Sequence, residues 1–76
     1  MVVEISSHFD NSLDGMKSIT FTKARAGKVI EYLTNKGILE TQLKSVGRGS
    51  SSAIALNNSE GGRKKNDRIE VRILEL

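Results

Sequence analysis

The chain has 76 residues with two Phe, one Tyr, no Trp, no Pro, no Cys and a net charge of +3. That length allows one domain with a small core, burying roughly 60% of its unfolded surface. The composition excludes disulfide staples and thiolate metal sites, and no apolar run is long enough to cross a bilayer.

Val2, Val3 and Ile5 predict a first strand over residues 2–7. The start, Met1-Val2-Val3-Glu4, lacks a basic region ahead of an apolar stretch, so no export signal is expected within the chain. Residues 10–18 are rich in turn formers and predict a loop. Thr22 is placed to cap a helix over residues 23–36, because its hydroxyl suits the free amides of a first turn. Ala26, Val29, Ile30 and Leu33 recur at the spacing of one buried helical face. Gly37 suits the left-handed residue of a Schellman ending, with Ile38 as its apolar partner.

A second strand is expected over residues 43–47. The polar stretch Gly47–Ser52 lacks the Lys-Ser/Thr of a phosphate loop and reads as a flexible connection. Asn58 or Ser59 caps a short helix over residues 60–66, although Gly61 and Gly62 each weaken it by about 1 kcal/mol relative to Ala. Ile69, Val71 and Ile73 alternate with Arg68, Glu70 and Arg72 in a closing strand. The order strand, helix, strand, short helix, strand predicts an α/β fold, an α+β sandwich with one main helix packed on a small mixed sheet.

Asp10 and Arg25 stand fifteen positions apart. On this reading Asp10 leaves the end of a strand and Arg25 lies in the first turn of the next helix, on its exposed side. Crevices beyond strand carboxyl ends hold ligands in open α/β sheets, and helix starts offer unpaired amides to anions. One acid, one base and free amides suit a zwitterion such as an amino acid. The plainer alternatives are a turn stabilised by the Asp10 side chain, and for Arg25 a surface position or an ion pair with Asp10.

Lys44, Arg48, Arg63, Lys64, Lys65 and Arg68 give the later part of the chain a basic balance against Glu60 and Asp67. That permits a polyanion partner, but a solvated basic face is the preferred reading, and few aromatics are present to stack on bases. His8 is the single histidine and has no metal-spaced companions, which makes it a half-buried strand-end residue rather than a ligand or base. No Ser, His and Asp stand in a nucleophilic arrangement, so neither catalysis nor a cofactor is expected.

Several segments in register resemble the OmpA-like C-terminal domain family. Ile5-Ser6-Ser7-His8-Phe9-Asp10-Asn11 is similar to the family's strand end, usually Gly-His-Thr-Asp-Asn. Phe21-Thr22-Lys23-Ala24-Arg25-Ala26, with Val29, Tyr32 and Leu33, resembles its Leu-Ser-x-x-Arg-Ala helix start and the Val-x-x-Tyr-Leu that follows. Lys36-Gly37-Ile38, Gly47-Arg48-Gly49, Asn57 and the run Gly62 to Glu70 match the remainder in order. The chain departs from the pattern at Ser7, Phe9, Leu13, Ser18 and Ala53, where the family usually has Gly, Thr, Gly, Asn and Pro.

The resemblance implies non-catalytic binding of peptidoglycan in the periplasm or cell envelope, anchoring a parent protein to the wall. Asp10 would pair with the side-chain ammonium of diaminopimelate in the stem peptide, and Arg25 with the neighbouring carboxylate. His8, Asn11 and Thr22 would complete the site, with Ser18, Arg63, Asn66 and Arg68 in support. Residues 1–76 would form a single, partial domain lacking the family's first strand and helix, an absence expected to uncover a face of the sheet and one edge. A homodimer is then one expected form. The competing readings are a basic self-associating structural domain and a polyanion or nucleic-acid binder with no wall site.

Overall fold

The computed structural model describes residues 1–75. Strand β1 (Val2–His8) is followed by helix α1 (Gly15–Asn35), a 3-10 turn (Glu40–Gln42), strand β2 (Leu43–Gly49), helix α2 (Glu60–Asn66) and strand β3 (Arg68–Glu75). The strands form one mixed sheet in the order β2-β1-β3. β2 runs parallel to β1 through the α1 crossover, and β3 returns antiparallel, with Ile5 opposite Val71 and Ser7 opposite Ile69. The predicted fold class and element order hold.

The main helix starts eight residues earlier than the sequence reading placed it. Asp14 is its N-cap, accepting from the Lys17 amide at 2.9 Å. Thr22 therefore caps nothing, Ser18 is helical rather than in a loop, and Arg25 is ten residues, about 15 Å, beyond the helix start. The physical reason is the face that this segment buries. Ser18, Thr22 and Ala26 lie one above another and are fully buried, so a run that looks like turn chemistry is a stripe of small residues for close packing.

What the stripe packs against is β2. A Cβ on Gly47 would fall 2.7 Å from the Lys23 Cα, and one on Gly49, at φ +58°, 3.1 Å from the Ser18 Oγ. Gly47-Arg48-Gly49 is thus not a flexible connection but the part of β2 on which the helix backbone rests. The Gly49 amide donates to the Thr22 hydroxyl at 3.0 Å, and that hydroxyl donates in turn to the Ser18 carbonyl at 2.9 Å. The other end of α1 closes as expected. Gly37 is at φ +99°, and the amides of Gly37 and Ile38 return to the carbonyls of Thr34 and Leu33.

The apolar core is small. Ile5 and Ala26 are its fully buried members, and Val29, Ile30 and Leu33 are half-buried. α1 lies over β1 and β2 and leaves β3 uncovered, with Val71 67% and Ile73 54% exposed. An open apolar groove between helix and sheet is lined by Val3, Ile5, Val29, Leu33, Leu43 and Val71. On the opposite face of the sheet, Glu4, Ser6, His8, Arg48, Arg68, Glu70 and Arg72 line a polar cleft.

Candidate functional site

Strand β1 ends among polar groups that water does not reach. Ser7 is fully buried on the helix side and His8 is 4% exposed on the reverse side. Arg25 reaches up from α1 to this end. Its Nε donates to the Ser7 Oγ at 2.7 Å, Nη2 donates to the carbonyls of His8 (2.5 Å) and Arg68 (3.2 Å), and Nη1 donates to the Asp67 carboxylate. A guanidinium carries five N–H donors, so four are engaged and one Nη1 proton is left over among the described residues. The Arg25 side chain is 26% exposed. It is a strut joining α1, β1 and β3 rather than the exposed helix residue expected from sequence.

Asp10 does not pair with Arg25. Its carboxylate accepts from the Ser12 amide at 2.8 Å in an Asx turn. Hydrogen bonding from Ser12 holds the Asp10 carboxyl below its usual range, and the nearby charge of Arg63 adds to that effect. Asp10 is therefore an anion at neutral pH, on the loop that leaves β1. Asn11 is exposed beside it. Two rings adjoin Arg25: Phe9 and Phe21 stand 4.9 Å apart, and Arg25 lies 5.2 Å above the Phe21 ring.

The structure separates the other sequence-predicted residues from this rim. Thr22 and Ser18 are sealed in the α1–β2 seam, and the amides of residues 22–26 lie inside a helix with no free ends there. They have nothing to offer a ligand. The His8 side chain alternates to the reverse face, where its Nε2 lies 3.0 Å from the Ser6 Oγ and 3.8 Å from Glu70. Burial, with the Arg68 charge next in weight, pushes its pKa below 6.5. His8 contributes to the rim through its carbonyl alone.

Asn66, Arg63 and Arg68 bind backbone. The Asn66 amide group accepts from the amides of Ile54 (2.8 Å) and Ala55 (3.0 Å) and donates to the Ala55 carbonyl and the Asn57 side chain. Arg63 donates to the Asn57 carbonyl, and Arg68 to the carbonyls of Asn66 and Ser52 and to Glu70. Together they hold the segment before α2 against the start of β3. Sequence reasoning missed Asp67, the direct partner of Arg25. It also missed the Phe21–Arg25 contact, although their four-residue spacing on a helix was a usable signal.

The family model that matches the chain, over residues 1–67, is that of the OmpA family. The chain belongs to this family. It is 35% identical over 69 residues to the peptidoglycan-binding protein ArfA of Mycobacterium tuberculosis, a match covering 91% of this chain and 21% of ArfA. With outer membrane porin F of Pseudomonas fluorescens it shares 30% identity over 71 residues, covering 93% of this chain and 22% of the porin. Among solved structures, the C-terminal domain of Helicobacter pylori MotB superposes with a TM-score of 0.82 at 28% identity, covering 93% of this chain and 57% of that one. The chain spans about a fifth of the length of these curated relatives.

Proposed function

We propose that this chain is a non-catalytic peptidoglycan-binding module of the periplasm or cell envelope, which anchors a parent protein through the diaminopimelate of the stem peptide. Asp10 receives the side-chain ammonium, and the remaining Nη1 proton of Arg25 receives the neighbouring carboxylate. Asn11 and the loop amides of residues 9–14 flank the ligand. The observation that carries this reading is the guanidinium held by four bonds at the end of β1, two residues before an ionised carboxylate. Such a cation loses little entropy when a carboxylate arrives, because its orientation is already set. The relative named for peptidoglycan binding supports the same reading.

Each charge-assisted contact at a partly wet rim contributes about 1–3 kcal/mol. One stem peptide therefore binds weakly, and a polymeric wall retains the protein through repeated sites. The test is titration of a diaminopimelate-containing stem peptide into isotope-labelled protein. Amide shifts at Asp10, Asn11 and Ser12 that vanish in Asp10→Asn are expected. An unchanged spectrum at millimolar peptide removes the proposal. Steep weakening of wall binding with added salt would favour a polyanion contact instead.

A further inference from the structure

Arg25 does not meet the rim alone. Its Nη1 donates to Oδ1 of Asp67, while Oδ2 of that carboxylate accepts no hydrogen bond among the described residues. Asp67 is held from both directions. Its amide closes α2 by donating to the Arg63 carbonyl at 3.1 Å, and it stands between the fully buried Asn66 and the first residue of β3. Its carboxylate is 41% exposed and the Arg25 side chain 26%, so both are open to a ligand at the rim.

The pair therefore presents an unused N–H donor on Nη1 beside an unused carboxylate oxygen. A group that matches it carries an acceptor and a donor side by side. An ionised carboxylate has acceptors alone. It can take the Nη1 proton, but it then faces Asp67 with the same charge, and like charges at close range repel. A primary carboxamide has both groups. Its oxygen accepts from Arg25 while its NH2 donates to Oδ2 of Asp67 in a charge-assisted bond.

We propose that Asp67 makes the rim selective for stem peptides whose diaminopimelate carries a carboxamide in place of its side-chain carboxylate. This selectivity rests on the wall-binding reading and refines its ligand. Asp10 still receives the ammonium, the free acid still binds, and the amide binds more tightly. The charges point the same way. Asp67 already neutralises Arg25, whereas Asp10 is an anion whose direct partner is the Ser12 amide. Arg63, whose charge acts on Asp10, bonds the Asn57 carbonyl and is not paired with Asp67 among the described residues. An amidated end group brings one positive charge to Asp10 and adds no second anion beside Asp67.

The test is a pair of titrations into the isotope-labelled chain. The probes are a stem peptide ending in diaminopimelate with its side-chain carboxyl free, and the same peptide with that carboxyl amidated. Amide shifts at Asp10, Asn11 and Ser12 should saturate with a Kd roughly tenfold lower for the amidated peptide, the ratio that one charge-assisted hydrogen bond supplies. Asp67→Asn sets an NH2 donor where the free oxygen stood, so the order should reverse and the free acid should bind more tightly. Equal affinities in the unsubstituted chain, or tighter binding of the free acid, overturn the selectivity and leave wall binding standing. That comparison needs no variant, so it decides the matter even where Asp67→Asn fails to fold. A preference for the amide that survives in folded Asp67→Asn overturns the role of Asp67. Shifts from neither peptide remove wall binding and this selectivity together.

Discussion

Arg25→Ala separates the strut seen in the structure from a residue that merely faces solvent. The substitution strips a charged donor from the fully buried Ser7 hydroxyl and from the carbonyl of His8, itself 4% exposed. Leaving each of these without a partner costs about 1–2 kcal/mol. The Asp67 pair, with that carboxylate 41% exposed, adds less than about 1 kcal/mol after solvent screening. The longer bond to the Arg68 carbonyl adds about 0.5 kcal/mol. The expected loss is about 3–5 kcal/mol, out of the roughly 4–11 kcal/mol available to a domain of this size. Urea unfolding followed by circular dichroism reads this directly. With a slope near 1 kcal/mol/M the midpoint should fall by about 3–5 M, or the folded baseline should disappear. Arg25→Lys, which keeps the charge but not the fork, should lose about half as much. A loss below about 0.5 kcal/mol for Arg25→Ala, the ordinary surface value, would refute the strut.

Three further outcomes follow from the packing. Gly47→Ala drives a methyl group into the Lys23 backbone and should destabilise by about 1–3 kcal/mol, read as a lowered melting temperature; an unchanged melt would mean that the helix does not rest there. Asn66→Ala removes four hydrogen bonds from a fully buried amide, so the amides of Ile54 and Ala55 should lose exchange protection along with about 2–4 kcal/mol of stability. His8 has a folded pKa below its unfolded value of 6.5, so the unfolded state binds its proton first and stability falls as pH drops through 6.5 toward the folded pKa. His8→Gln should flatten stability across that window, and an unaltered slope there would assign the dependence to carboxylates.

Much of the fold was legible in residues 1–75. Alternation in β3, the Ser59 cap of α2 and the Gly37-Ile38 helix ending all act within a few residues, so local pattern was enough to place them. The start of α1 was not legible. Ser18 and Thr22 resemble turn and cap residues, and what makes them helical is the glycine-lined strand that they meet. Propensity gave way to tertiary packing at the segment where a polar stripe replaced an apolar one.

The candidate site divides the same way. That Asp10 follows a strand and Arg25 lies on the next helix was readable from the chain, because each depends on a nearby hydrophobic pattern. Which groups the Arg25 fork grips was decided only in three dimensions. Ser7, His8, Asp67 and Arg68 come from two strands and the turn before one of them, and Asp67 lies 42 residues from Arg25. The sequence by itself determined the elements and the charges at their ends. The tertiary structure decided that one arginine would be held on four sides, because only the assembled sheet brings acceptors so far apart in the chain to one point.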